Sequence, residues 1–226
     1  MIGVFDSGVG GLAAINELRK ITKDIDVSFL ADRKNAPYGT KTLEQIIEFS
    51  KRNIEKLLSL GAEKILIACC TASAAYPYLS EREKSVSVPL IDLAASRAVE
   101  IANGGGIGVI ATKRTVEERA FSEAIAKISN NASVFELETQ EFVSMVESGA
   151  RDGNLTLCDR QKIARALAPL RDKKIDTLIL GCTHFPHIEK EIQAVTGAKT
   201  VNPALEGALE ISKIASLSGN GRTIYV

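Results

Sequence analysis

The sequence has no excess of charge of either sign. Its 226 residues include 28 Lys and Arg and 28 Asp and Glu, so the formal net charge at pH 7 is zero. The charges are also dispersed, without a basic stripe or a block of like charges. This pattern argues against binding to nucleic acid or to anionic membranes, and we expect neither as a partner.

A long apolar run and a leader sequence are also missing. No stretch approaches the roughly 20 apolar residues that a membrane-spanning helix needs. The first residues, MIGVFDSG, have no charged region before the apolar one and reach Asp6 almost at once, unlike a signal peptide. We therefore expect a cytoplasmic protein.

Cysteine is scarce, with four residues in the chain. Thiols stay reduced in the cytoplasm, so we expect these cysteines to be catalytic, metal-binding or inert rather than disulfide-bonded. Three of them follow strand-like apolar runs, because Cys69 and Cys70 end the run IACC and Cys182 lies in LILGCTHF. Cys158 has no such setting, and we expect it to be inert.

What the sequence does contain is an alternation of short β-branched runs with amphipathic segments. The strand-like runs are IGVF, VSFLA, KILIAC, VPLID, GIGVIA, ASVFEL and DTLILGC. Helical patterns lie near residues 11–22, 43–59, 93–102, 116–129, 140–148, 160–170 and 187–195. This alternation predicts an α/β fold with mainly parallel sheets flanked by helices.

Two of the helical segments carry a start signal. Thr42 followed by Gln45, and Thr115 followed by Glu118, fit the capping box. In this motif two side chains bond the free backbone N–H groups at the start of a helix. We expect a helix to begin after each of these threonines.

The chain also resembles itself. IGVFDSG near the start has a counterpart in IGVIATK at 107–113, and KILIACCTAS at 64–73 has one in DTLILGCTHF at 176–185. We interpret these repeats as two pseudo-symmetric α/β domains, residues 1–94 with 201–226 and residues 95–200. Ligands of open parallel sheets bind at the carboxyl ends of the strands, so we expect the active site in the cleft between the domains.

A glycine-rich turn follows the first strand. Residues 8–13 match G-x-G-x-x-A, and Asp32 ends the next strand about 20 residues later, as in a dinucleotide site. Asp6 and Ser7 intervene between strand and glycines, where a small polar substrate would need them and a dinucleotide would not. The alternatives are a dinucleotide, an anion such as a carboxylate on the backbone N–H groups, or a tight turn alone.

The cysteines also allow several interpretations. Structural zinc sites use C-x₂₋₄-C pairs, and adjacent cysteines rarely bind one ion together, so we expect no metal. A free cysteine is often only a small buried hydrophobe. A thiolate at a helix N-terminus has a lowered pKa and is a good base. Two such bases on opposite faces of one carbon would invert a stereocentre without a cofactor.

Five blocks in order carry a resemblance to a known family. IGVFDSGVGGL, ADRKNAPYGTK, ACCTASA, GVIATKRT and LILGCTHFP together resemble the bacterial glutamate racemase family, within the cofactor-independent aspartate/glutamate racemase superfamily. The resemblance implies conversion of L-glutamate to D-glutamate by two cysteine bases, which would supply peptidoglycan synthesis. It also implies an amino-acid substrate, no cofactor and a homodimer.

The resemblance also implies roles for single residues. Cys69 would act on the D-face proton and Cys182 on the L-face proton, and the residues that assist the thiols would be Asp6, His184 and Glu147. Other positions match those that hold the carboxylates and amino group of the substrate. These are Ser7, Pro37, Tyr38, Gly39, Cys70, Thr71 and Thr183.

Cys70 departs from the family pattern. The family's block reads Ala-Cys-Asn-Thr, and its asparagine contacts the amino acid. A thiol is a weaker hydrogen-bond partner than an amide, so a different substrate such as aspartate, or a catalytically impaired binding protein, stays open. Another alternative is that the alignment with the family block is shifted by one residue, so that Cys70 is the base. Neighbouring side chains of a strand point to opposite sides, which favours only one of Cys69 and Cys70 as the base.

Some members of the family also carry an N-terminal extension linked to activation by a cell-wall precursor. This chain begins directly at its first predicted strand. We therefore expect no such regulation.

Overall fold

The fold is described from a computed structural model in which residues 1–102, 104–214 and 219–226 are described. The chain forms two compact units, Met1–Leu90 with Ala204–Val226, and Ile91–Pro203. Each unit is built around one parallel sheet flanked by helices, so the predicted α/β class is confirmed. The predicted domain limits, after residues 94 and 200, stay a prediction.

The elements follow one another along the chain as short strands and helices. The strands are β1 (Ile2–Asp6), β2 (Val27–Ala31), β3 (Lys64–Ile67), β4 (Ser87–Pro89), β5 (Gly106–Ala111), β6 (Val134–Glu138), β7 (Ile175–Gly181), β8 (Lys199–Val201) and β9 (Thr223–Tyr225). The helices are α1 (Leu12–Ile21), α2 (Leu43–Ser59), α3 (Cys70–Ser73), α4 (Glu81–Val86), α5 (Leu90–Ala102), α6 (Lys113–Glu117), α7 (Ala120–Ile128), α8 (Gln140–Glu147), α9 (Leu157–Leu167), α10 (Glu189–Thr196) and α11 (Pro203–Ile214). Short 3₁₀ turns cover Tyr38–Thr40, Tyr76–Tyr78, Ala168–Lys173 and Phe185–Ile188.

The sheet of the first unit has the strand order β4-β3-β1-β2-β9, and all its pairings are parallel. Every residue of β1 is buried, as expected for a central strand covered on both faces. The chain passes from β1 to β2 on one side and later to β3 on the other. The carboxyl ends of β1 and β3 therefore flank the switch point where open α/β sheets bind ligands.

The sheet of the second unit repeats this plan with the order β6-β5-β7-β8. The chain passes from β5 to β6 on one side and later to β7 on the other, so its switch point lies between the carboxyl ends of β5 and β7. A buried apolar cluster packs against this sheet. In it the rings of Phe142 and Phe185 meet edge to face, with centroids 5.6 Å apart.

One of the two predicted capping boxes is confirmed and one is wrong. Thr42 Oγ1 accepts from Gln45 N at 3.3 Å, and Gln45 Oε1 accepts from Thr42 N at 3.1 Å. Thr115 instead lies inside α6, buried, with its hydroxyl 3.0 Å from that of Thr112. The helix begins earlier because it follows β5 directly, and Arg119 (φ 51°) separates it from α7.

The predicted strand VPLID is also wrong in part. Only Val88 and Pro89 of this run belong to a strand, and α5 begins at Leu90. The Leu90 N–H donates to Ser73 Oγ at 3.0 Å, so it is not available to continue the ladder. The prediction also omitted short or terminal elements. These are α3, α4, β8, α11 and β9.

The C-terminal strand β9 is held by side chains from the first part of the chain. Arg19 donates to the backbone oxygen of Arg222 and to Thr223 Oγ1, both at 3.0 Å. The Asp26 carboxylate accepts from the backbone and guanidinium of Arg222. Across the described residues, we find no helix with the length and apolar character that a bilayer crossing demands.

The turn after β1 leads to a stability prediction. A Cβ on Gly11 would lie 2.7 Å from Asp6 Cβ and 3.0 Å from Phe29 Cε2, whereas one on Gly8 would meet only Asp6 Oδ2 at 3.9 Å. Gly11→Ala should therefore lower the free energy of unfolding by about 1–3 kcal/mol through overpacking. Gly8→Ala should leave it unchanged or raise it by up to about 1 kcal/mol.

Urea unfolding followed by circular dichroism measures both values. Equal stability of the two variants would contradict the close packing of Gly11 against Asp6.

Candidate active site

The first unit brings a carboxylate, a hydroxyl and a thiol together at its switch point. Asp6 ends β1, Ser7 follows it, and Cys69 lies two residues beyond β3. The Cys69 Sγ lies 3.8 Å from Ser7 Oγ, and both Asp6 and Cys69 are buried. Three predicted site residues that are far apart in sequence thus form one cluster.

Burial raises the pKa of the Cys69 thiol from 9.0 to about 12, and the negative charge of Asp6 adds to this shift. Hydrogen bonds from Ala72 and Ser7 act in the opposite direction but are weaker. The prediction of a lowered thiol pKa at a helix N-terminus is therefore wrong for Cys69. The helix α3 has only four residues, and its N-terminus does not outweigh desolvation. At neutral pH Cys69 rests as the thiol.

The contacts of the glycine-rich turn disfavour a dinucleotide. The Gly8 N–H donates to Asp6 Oδ2 at 2.8 Å, so a phosphate at this turn would face a carboxylate of the protein. The Asp32 carboxylate accepts from Tyr38 Oη at 2.6 Å, from Asn35 Nδ2 at 2.8 Å and from Arg52 at 3.2 Å. It is therefore occupied by the protein rather than directed at a ribose.

The predicted substrate loop is held by the same carboxylate. Pro37 follows a cis peptide bond, and Tyr38 and Gly39 begin a 3₁₀ turn. The Tyr38 ring is buried, and its hydroxyl donates to Asp32 and accepts from Asn53 Nδ2 at 3.0 Å. Burial and the Asp32 hydrogen bond raise the pKa of Tyr38. A substrate at this loop would meet its backbone, not the phenol.

The second unit places an imidazole between a thiol and a carboxylate. Cys182 follows β7, and its Sγ lies 3.6 Å from His184 Nδ1. The opposite ring nitrogen, Nε2, lies 3.4 Å from Glu147 Oε1 at the end of α8. His184 is buried and Glu147 is about half exposed. The imidazole therefore contacts the thiol through one ring nitrogen and the carboxylate through the other.

The sequence matches the family Asp/Glu/Hydantoin racemase over residues 12–210. The chain belongs to this racemase family. A glutamate racemase of Desulforudis audaxviator (strain MP104C) is 37% identical over 201 residues, which cover 88% of this chain and 72% of the relative.

Solved glutamate racemases share the fold of this family member. The isoform RacE1 from Bacillus anthracis matches with a TM-score of 0.91 and 30% identity, covering all of this chain and 86% of that one. The enzyme from Francisella tularensis subsp. tularensis SCHU S4, solved in complex with D-glutamate, matches with a TM-score of 0.87 and 29% identity over 99% of this chain and 87% of that one. The resemblance to glutamate racemases seen in the sequence is confirmed.

Other predicted site residues of this racemase lie beside the two thiols in the sequence. Cys70 and Thr71 form the first turn of α3 and are buried, and Thr183 is buried next to Cys182. The choice of Cys69 over Cys70 as the base and the roles of all three neighbours stay predictions. Within residues 1–102, 104–214 and 219–226, no group of three or more His, Cys, Asp or Glu side chains could hold a metal ion.

Three buried threonines of the racemase are absent from the residues to which the resemblance assigns a role, although the sequence pattern places Thr112 at the carboxyl end of a strand. Thr112 follows β5, Thr139 follows β6, and Thr115 shares a hydrogen bond with Thr112. They belong to the carboxyl edge of the sheet that also carries Cys182. The available signal was a threonine directly after a strand-like run, which applies to Thr112 and Thr139.

The raised pKa of Cys69 leads to a titration prediction. With the exposed Cys158 removed as Cys158→Ser, the thiolate absorbance at 240 nm should show no contribution from Cys69 below about pH 10, because the shifted pKa of Cys69 is about 12. The comparison with the additional Cys69→Ser variant isolates this contribution. A Cys69-dependent step between pH 6 and pH 9 would contradict the buried, neutral thiol.

The raised pKa of Cys69 should also make the free energy of unfolding depend on pH. Between pH 9.0 and about 12 the unfolded chain has lost the proton of Cys69 and the folded chain keeps it. The free energy of unfolding should therefore fall through this group by about 1.4 kcal/mol per pH unit. Cys69→Ser should lack this part of the slope. The part due to Tyr38 should change little, because burial and Asp32 are the larger causes of its raised pKa.

Proposed function

We propose that this racemase interconverts L- and D-glutamate without a cofactor, with Cys69 and Cys182 as the two bases. One observation carries the proposal: each unit places a buried cysteine at the switch point of its own parallel sheet, beside acid–base side chains. The glutamate racemases among its relatives, one of them bound to D-glutamate, support the choice of substrate.

In the direction from L- to D-glutamate the two cysteines have different tasks. The Cys182 thiolate takes the proton from Cα, so the C–H bond breaks and an S–H bond forms. The electron pair left on Cα then accepts the proton of the Cys69 thiol on the opposite face. The product is D-glutamate, with Cys182 as thiol and Cys69 as thiolate. The reverse direction uses the same steps in the opposite order.

The surroundings of the thiols fit this division. Asp6 and burial keep the proton on Cys69, which is the form that donates. His184 lies between the Cys182 thiol and the Glu147 carboxylate, so an acid–base side chain adjoins the second base. Enzymes usually assign acid and base roles by giving two titratable groups different surroundings.

The variants Cys69→Ser and Cys182→Ser test the two bases. Each should lose racemisation by at least roughly 100-fold, since a positioned acid or base contributes that much and a serine hydroxyl is too weak an acid. Each should still eliminate a β-leaving group from one enantiomer of a β-substituted amino acid. Cys69→Ser keeps the base for the L-enantiomer, and Cys182→Ser keeps the base for the D-enantiomer.

Polarimetry measures racemisation, and release of the leaving group measures elimination. Cys158→Ser is the matched control, because this exposed cysteine of α9 belongs to neither cluster, and it should keep full activity. Preference of both variants for the same enantiomer would contradict the two-base assignment.

Two other functions stay open because of Cys70. One is the same chemistry on another amino acid such as aspartate, and the other is a binding protein with impaired chemistry. Polarimetry with L-glutamate and L-aspartate separates them. A racemase for another amino acid changes the optical rotation of its preferred substrate alone, and a binding protein with impaired chemistry changes the optical rotation of neither. The relatives named glutamate racemase at more than 30% identity favour glutamate.

Replacing Cys70 with the family's asparagine tests its role in the substrate site. A hydrogen bond to a charged group contributes roughly 1.5–3 kcal/mol, and about 1.4 kcal/mol corresponds to a factor of ten. Cys70→Asn should therefore raise kcat/KM for glutamate by roughly 10- to 100-fold, and Cys70→Ser should leave it largely unchanged.

Steady-state kinetics of both variants, beside Cys69→Ser, checks this assignment. An unchanged kcat/KM in Cys70→Asn would mean that Cys70 only packs within α3. An inactive Cys70→Ser beside an active Cys69→Ser would make Cys70 the base.

We extend the proposal to the role of the product and the state of the protein. The enzyme supplies D-glutamate for peptidoglycan synthesis in the cytoplasm and acts as a homodimer. These parts rest on the resemblance to the family. Requirement for external D-glutamate after loss of the gene would support the first, and sedimentation equilibrium measures the second.

A further inference from the structure

A cavity of about 470 Å³ lies at the carboxyl end of β2, on the side of α2. Its walls come from residues 30–35, which end β2 and begin the following loop, and from the second half of α2. The residues that line it do not include Asp6, Ser7 or Cys69. It therefore adjoins the thiol cluster of the first unit, since the Asp32 N–H donates to the backbone oxygen of Asp6 at 2.9 Å, but it shares no lining residue with that cluster. Its volume falls within the range of small-molecule sites.

The charges around this cavity are strongly uneven. Four cationic side chains line it, and they are Arg33, Lys34, Arg52 and Lys56. The carboxylate among the lining residues belongs to Asp32, which is buried and accepts hydrogen bonds from Tyr38 and Asn35. A ligand would meet cations that outnumber this internally bonded carboxylate. Like charges close together at a concave surface create a positive potential that favours an anion.

One of these cations is already oriented. The Arg52 guanidinium lies 3.2 Å from Asp32 Oδ2 and 5.3 Å from the centre of the Phe49 ring. Its side chain is nevertheless about half exposed, so N–H groups stay available to a ligand. A guanidinium held by an ion pair and an aromatic face loses little freedom on binding. Its planar N–H groups match phosphate oxygens in pairs.

We propose that this cavity binds a small anion carrying at least two phosphate groups. Two linked phosphates place several negative charges within a compact volume. They can meet the oriented Arg52 together with Lys56, which lies one turn further along α2, and Lys34 of the loop after β2. A single phosphate carries fewer charges and reaches fewer of the cations. A tricarboxylate spreads its charge over a wider frame and does not offer the same paired contacts to the guanidinium.

Isothermal titration calorimetry with inorganic pyrophosphate tests this site in the full-length protein. Wild type should bind one pyrophosphate per chain, at least about 10-fold more tightly than inorganic phosphate or citrate. The affinity should fall as salt is added, since these cations are exposed to solvent and are screened. Absence of pyrophosphate binding, or equal binding of citrate, would overturn the proposal.

The double variant Lys34→Gln/Lys56→Gln should weaken pyrophosphate binding by at least about 10-fold. Lys51→Gln is the matched control, because this exposed lysine lies on α2 one residue before Arg52 but does not line the cavity. It should bind like wild type. An equal loss in Lys51→Gln would show unspecific attraction and overturn the site.

Saturating L-glutamate separates this cavity from the proposed active site. Pyrophosphate affinity should not change when glutamate is present, since the thiol cluster and the cavity have no lining residue in common. Displacement by glutamate would mean that pyrophosphate binds at the substrate site and would also overturn the proposal. The calorimetric result does not depend on racemase activity, so failure of the proposed function and failure of this inference are distinguishable.

Discussion

The chemistry of the first unit depends on how the turn after β1 holds the carboxylate of Asp6. The Gly8 N–H bonds this carboxylate, and Gly11 has no side chain that would displace it. The buried charge then lies close enough to Cys69 to help keep its proton in place. The glycines that suggest a phosphate site in the sequence thus serve a charged group of the protein itself.

The two units differ in the side chains around their cysteines although they share a strand plan. Cys69 has a carboxylate and a hydroxyl as neighbours, and burial and negative charge both favour its neutral form. Cys182 has an imidazole as neighbour, with a carboxylate behind it. The internal repeat of the sequence therefore preserves the position of the thiol at a strand end. It does not preserve the side chains that contact this thiol.

The Asp32 carboxylate connects two regions of the first unit. One of its oxygens accepts from the Tyr38 hydroxyl and from Arg52. Tyr38 belongs to the predicted substrate loop, and Arg52 lines the cationic cavity. This single buried acid fixes the loop by a short hydrogen bond and orients a guanidinium at the same time. Asp32 resembles a ribose ligand in the sequence, but in the structure it holds two parts of this unit together by hydrogen bonds.

The sequence by itself determined the α/β class, most central elements and the family, because periodicity, turn residues and strand-end motifs are local signals. It also indicated Cys69, Cys182 and His184, which lie in two short blocks. It could not place α5 correctly at Leu90, since the Ser73 hydroxyl that bonds Leu90 N–H is remote in sequence. Nor could it assign the Cys69 pKa, the bonding of Asp32 or the distance of Glu147 from His184. Burial and contacts between distant residues decide these properties, and only the tertiary structure contains them.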